Sequence, residues 1–214
     1  MDLFDAMHSL RAMRRLKPDP IPDEVLRRIL EAAMRAPSGG NRQPWFFLVV
    51  REAQTRQHLA ELWHVGYQEL LKIPRYAEAA SGGGPVDQQK MMRSVQYLAA
   101  HLHEAPVHLL VCMDTDGQPP SFGHGSSLFP AIQNLMLAAR DLGVGTVLTT
   151  IHRYREAEVR TLLGIPEHIV VAALIPNWAI RRANSARAHA SRWTKCYISS
   201  VGGRGRARSL AIVV

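Results

Sequence analysis

Apolar and polar positions follow two different periods along this chain, and each change of period marks an element. Val25, Leu26, Ile29, Leu30 and Ala33 recur at helical spacing behind Pro22-Asp23-Glu24. Proline fits a first helical turn, and the two acids face the positive end of the helix dipole. A helix is predicted from Pro22 to Ala36. Trp45 to Val50 is apolar at every position, the pattern of a strand covered on both faces, and Val107 to Met113, Gly145 to Thr150 and Ile169 to Ile175 read as further strands, continuous rather than alternating. Asp2 to Leu10 reads as a short helix and Glu52 to Tyr76 as a polar, helix-prone stretch. Ser126 to Leu142 reads as a long helix stopped by Gly143, and Arg155 to Leu163 as a short one ending at Gly164. Ser81-Gly82-Gly83-Gly84-Pro85 breaks the chain between helical segments. Continuous β runs separated by helices predict one α/β or α+β layered domain with helices on both faces of its sheet.

Composition changes this picture at one place. The formal charge of +8 over 214 residues points toward nucleic acid or an anionic surface. Residues 1–176, however, hold 18 basic and 18 acidic side chains, while 177–214 hold 8 basic and no acidic ones. The excess belongs to the last segment, and the layered domain is neutral. No apolar run approaches the ~20 residues that span a bilayer. Cys112 and Cys196 make no disulfide framework, so a soluble protein of a reducing, cytoplasmic compartment is expected.

Three segments carry candidate chemistry. Arg11, Arg14 and Arg15 lie within five residues beside a helix end, and guanidinium forks suit phosphate oxygens. In an extended segment Arg11 and Arg15 point to one side and Arg14 to the other. Pro37-Ser38-Gly39-Gly40-Asn41-Arg42-Gln43-Pro44-Trp45 puts a hydroxyl, two glycines and two carboxamides into one turn, the equipment for a flat polar ligand. Thr149 and Thr150 end a strand, where layered folds place ligand contacts. Trp63, His64, Tyr67 and Tyr76 either pack their helix or face an aromatic molecule. Gln133-Asn134 is read as a buried hydrogen-bonding pair. His101 and His103 form no metal set.

Ser9 to Asp19, Ala36 to Trp45 and Leu142 to Thr146, in this order and spacing, resemble the nitroreductase-like flavoenzymes over residues ~3–176. The resemblance implies an α+β fold (α/β/α layers, mixed central sheet) and an FMN-dependent oxidoreductase. NAD(P)H would give hydride to flavin N5, and a nitroaromatic, quinone or similar electron-poor acceptor would take it. Other flavin chemistry (dehalogenation, oxidation, flavin cleavage) and a non-catalytic flavin-binding homologue are the alternatives. It implies a homodimer whose sites borrow residues from both chains, with neither membrane nor nucleic acid as partner. By the same resemblance Arg11 and Arg14 hold the FMN phosphate with backbone help from Ala12 and Met13. Pro37, Ser38, Gly39, Asn41 and Gln43 meet the flavin or ribityl chain, and Thr149, Thr150 and Ile151 line the ring near N5 by main-chain amides. No catalytic side chain and no metal are implied.

Past residue 176 the likeness stops. The family usually continues with a Phe-Gly-Pro segment, an Arg pair for the phosphate and an acidic stretch, whereas residues 177–214 are basic and acid-free. Two origins fit: a shifted reading frame near codon 177, or a basic extension for an acidic partner.

Overall fold

The computed structural model describes residues 1–15 and 17–179, with backbone alone for 178–179 and for Ile212–Val213. Seven α-helices are described: α1 Leu3–Ser9, α2 Asp23–Ala33, α3 Ala53–Leu70, α4 Pro74–Ala80, α5 Val86–His101, α6 Phe122–Asp141 and α7 Glu156–Leu163. The strands are β1 Trp45–Val50, β2 Val107–Asp114, β3 Val144–Thr146, β4 Ile169–Ala179 and β5 Ile212–Val213. They form one mixed sheet in the order β3-β4-β2-β1-β5, antiparallel except for the β1–β5 pair.

Strand parity assigns the two cores. Phe47, Val49, Leu109 and Val111 face one layer with Leu26, Ile29 and Ala33 of α2 and Leu128, Ile132 and Leu135 of α6. Leu48, Val50, Leu110 and Cys112 face the other, with Leu59 and Trp63 of α3, Met92 and Leu98 of α5, and Val159 of α7. The fold is therefore α+β, with helices on both faces as the continuous apolar runs require. Apart from 177–179, in β4, and Ile212–Val213, the readings made of 177–214 fall outside the described residues.

Three expectations need correction. The helix-prone stretch Glu52 to Tyr76 is two helices, because Pro74 opens α4 as its first residue and cannot continue α3. The helix expected from Ser126 starts earlier, where Ser121 and His124 cap each other at the head of α6. The strand expected from Gly145 to Thr150 pairs only as far as Thr146 and then at Thr149. Hydrogen-bonded pairs alternate along an antiparallel ladder, and Thr149 and Leu174 are one, exchanging bonds of 2.9 and 3.0 Å. In the same register the next such pair is Val147 opposite Pro176, and proline has no N–H to give. Released there, the chain pairs once more at Thr149 and turns into a 3₁₀ segment, Ile151–Arg155.

Candidate functional site

The segment after α1 is an extended strap along the edge of β3, fixed where the Met13 N–H donates to the Thr146 carbonyl at 3.0 Å. Arg14 is half-buried, its Nη1 donates to Ser94 Oγ of α5 at 3.4 Å, and its buried Nε has no partner among the described residues. Burial lowers its pKa below that of an ordinary arginine. Among the described residues no carboxylate pairs with Arg11, Arg14 or Arg15. A desolvated guanidinium without a counter-charge is a standing demand for an anion. Two readings change here. Met13's amide is committed to β3, so it is not available to a phosphate. Arg14 and Arg15, expected on opposite sides, both reach α5, because the chain bends at Arg15 instead of continuing as a regular strand.

The polar turn is held by its own groups. Gly39–Asn41 is a single 3₁₀ turn in which Gly40 and Asn41 have φ of 58° and 53°, and Gln43, two residues beyond it, has φ of 50°. Left-handed φ favours glycine and tolerates asparagine, so the composition of the turn follows from its path. The Gln43 N–H donates to Ser38 Oγ at 3.0 Å and the Gly39 N–H to Ser127 Oγ of α6 at 3.1 Å. These two amides are therefore not available to a ligand. Gln43 Nε2 donates to Asn41 Oδ1 at 2.8 Å, which leaves Asn41 Nδ2 as a donor and Gln43 Oε1 as an acceptor on an exposed rim. Pro37 is exposed at the entry and Arg42 pairs with Asp116 across the loop after β2.

The strand end is set by α3. Trp63 Nε1 donates to Thr149 Oγ1 at 3.0 Å, and a Cβ on Gly66 would come within 2.6 Å of the Ile151 carbonyl oxygen. Gly66 is the gap that lets α3 lie against this backbone. Thr149's own N–H is engaged by Leu174, which removes it from the set of free amides, and the half-buried Ile151 donates its N–H to Thr149 Oγ1 at 3.4 Å; Thr150 is exposed. Trp63 and Tyr67 are buried and stacked on each other, so they pack the helix, whereas His64 is exposed. Asn134 donates to the Ala32 carbonyl at 3.3 Å as expected of a buried amide, but Gln133 is exposed.

Register decides which segments meet. Thr146 lies opposite Asn177, which lies opposite Val107 at the start of β2; Thr149 lies opposite Leu174, which lies opposite Leu110. The strap and the strand end are thus about 10 Å apart along the sheet. The polar turn adjoins Trp45, which lies opposite Met113, at the far end of β2 about 20 Å from the strap. One chain brings Arg11, Ala12, Met13 and Arg14 near Thr149, Thr150 and Ile151. It holds Pro37, Ser38, Gly39, Asn41 and Gln43 apart from them.

The model of the family described as "Nitroreductase family" matches residues 9–176. This chain belongs to the nitroreductase family. An NADH dehydrogenase of Thermus thermophilus is 28% identical over 179 residues, covering 82% of this chain and 85% of the relative. Iodotyrosine deiodinase 1 of Rattus norvegicus is 25% identical over 181 residues, covering 82% of this chain and 61% of the deiodinase. The solved structure of NfnB, an FMN and NADPH-dependent nitroreductase of Sphigopyxis sp. strain HMH, superposes with a TM-score of 0.64 at 20% identity, covering 84% of this chain and 88% of NfnB. Nitroreductase-family membership makes this chain a flavin oxidoreductase by family. Among the described residues no group of three or more His, Cys, Asp or Glu side chains could hold a metal, and no helix is long and apolar enough to cross a membrane.

Several supporting residues of this nitroreductase-family site carry no local signal in the sequence. Ser127 is one more small residue at the head of a helix, and its partner Gly39 is 88 positions away. Ser127→Ala leaves the Gly39 N–H without its acceptor. Its expected cost is about 0.5–1.5 kcal/mol, read as a lower urea midpoint with unchanged slope; an unchanged midpoint would show that this bond does not hold the turn.

Proposed function

We propose that this chain is an FMN-dependent oxidoreductase that draws hydride from NAD(P)H and delivers it to a nitroaromatic, quinone or related electron-poor acceptor. The observation that carries this reading is Arg14: half-buried, without a counter-charge among the described residues, and next to Met13, whose N–H meets Thr146 three strand positions from Thr149. The donor set fits a phosphorylated flavin. Arg11 and Arg14 supply the cations, the Ala12 amide accompanies them, and Thr150 and Ile151 border the ring. FMN, when bound, supplies the redox chemistry at its ring. The chain's own part is to fix the phosphate, orient the ring against the Thr149–Ile151 backbone, and present Asn41 and Gln43 as donor and acceptor.

The same reading includes a homodimer. The polar turn and the strap are too far apart to wall one ligand within a chain, and a second copy supplies the missing wall. Exposed apolar side chains on α1 (Leu3, Phe4, Met7) and α6 (Phe122, 94% exposed, and Phe129) fit such a partner. A reducing, cytoplasmic setting fits Cys112, a free buried thiol whose pKa burial pushes up to about 12.

Titrating the purified protein with FMN tests the proposal. Saturable quenching of flavin fluorescence at one FMN per chain is expected, followed by bleaching with NADPH or NADH without oxygen and recovery on adding a nitroaromatic. Absence of saturable binding would sink it. The likeness to iodotyrosine deiodinase favours reductive dehalogenation as the second reading, and halide release from a halophenol in place of nitroaromatic turnover would select it.

A further inference from the structure

The strap is clamped from a second side by α5. Arg15 lies over the ring of Tyr97 with its guanidinium carbon 4.1 Å from the ring centroid. Tyr97 in turn stacks on His101, centroids 4.0 Å apart and planes 21° from parallel, and His101 Nδ1 meets Glu104 Oε1 at 2.8 Å. Ser94, which receives Arg14, lies three residues before Tyr97, and Tyr97 lies four before His101. The three therefore share one face of α5. With the Met13–Thr146 bond on its other side, the strap is fixed at three consecutive residues, Met13, Arg14 and Arg15.

We propose that Tyr97 is a positioning residue for the phosphate end of the cofactor site, acting through Arg15. This rests on the FMN reading above. Arg15 has no carboxylate partner among the described residues, so the ring face is what fixes its guanidinium. A fixed Arg15 fixes the direction of the peptide that carries Arg14 and, behind it, Arg11. Without that tether the two phosphate-binding cations must be ordered when the ligand arrives, and the ordering entropy comes out of its affinity. The effect belongs to the phosphate alone: a flavin without one has nothing for Arg11 and Arg14 to hold.

The test compares FMN with riboflavin, each titrated by fluorescence quenching against wild type, Tyr97→Phe and Tyr97→Leu. Leucine removes the ring face; phenylalanine keeps it. Tyr97→Leu is expected to weaken FMN about three- to fivefold and leave riboflavin unchanged, with Tyr97→Phe like wild type for both. Arg15→Gln, which removes the cation and disturbs no helix, should reproduce the Tyr97→Leu split and decides the matter if the leucine variant does not fold. Equal loss of both flavins, or no loss of FMN in either variant, overturns the role of Tyr97. A wild type that binds neither flavin overturns the FMN reading itself, and this inference with it.

Discussion

Replacing Trp63 with alanine is expected to remove about 3–5 kcal/mol of stability. Trp63 is 1% exposed and is among the largest fully buried side chains described. It fills the layer between α3 and the sheet, stacks on Tyr67, and donates to the Thr149 hydroxyl at 3.0 Å. Alanine loses the packing and leaves a cavity, and it also leaves Thr149 Oγ1 with only the long bond from the Ile151 N–H, at 3.4 Å. Domains of this kind hold a total of about 5–15 kcal/mol, so the variant should sit near its unfolding threshold. Urea denaturation followed by circular dichroism reads the change. Trp63→Phe weights the two parts differently, since it drops the hydrogen bond but keeps most of the volume. Its expected cost is about 1–3 kcal/mol. A loss below 1 kcal/mol for the alanine variant would mean that α3 is not the support of the Thr149–Ile151 turn.

That support is the part of the site that local pattern cannot show. β1 was legible to the residue, because Trp45 to Val50 is apolar without interruption and bounded by Pro44 and Arg51. The strap, the polar turn and the threonine pair were visible as compositions, each unusual for where it lies. What they touch was not. β3 ends early because of Pro176, thirty residues after Thr146. Tyr97 and Ser94 stand out only once Arg14 and Arg15 are seen to reach them across about eighty positions. α5 itself is only lightly marked: Met92, Val95, Leu98 and Ala99 are scattered among Gln88, Gln89, Lys90, Arg93 and Gln96. Its apolar face becomes legible against α3 and the sheet.

Nor does the sequence reveal how amides become unavailable. Gly39, Gln43, Met13 and Thr149 all look like main-chain donors to a ligand in a motif. In the fold each has an internal acceptor, Ser127, Ser38, Thr146 and Leu174 respectively. The turn and the strap are therefore rigid walls that meet a ligand through side chains and the few remaining amides. Such preorganisation lowers the ordering cost of binding. It also explains why a turn of this polarity can be exposed without collapsing onto itself.

Mild acid should destabilise the protein through His108, by an amount that one substitution can isolate. His108 is 0% exposed in β2; Nε2 meets the Leu102 carbonyl at 2.9 Å and Nδ1 has no partner among the described residues. Burial lowers its pKa from 6.5 to about 4, helped by the charges of Arg56 and His103 and opposed by the bond to Leu102. In the unfolded chain the same ring titrates near 6.5. Above pH 6.5 both states carry it neutral, and it adds no pH dependence. As pH falls from 6.5 toward 4, only the unfolded state takes the proton, so stability drops by about 1.4 kcal/mol per pH unit, about 3 kcal/mol in all. Below pH 4 the folded state can take it too and the slope from this group vanishes. His152, buried with its Nδ1 unpartnered and its pKa lowered by burial, pushes in the same direction. Carboxylates add their own acid dependence, so the informative quantity is the difference between wild type and His108→Gln, which keeps a donor for Leu102 and does not titrate. Urea midpoints measured from pH 7 to pH 4 should fall less steeply in the glutamine variant. Parallel profiles would show that His108 is charged in the fold or reached by water, and would place its ring outside the closed core between α5 and the sheet.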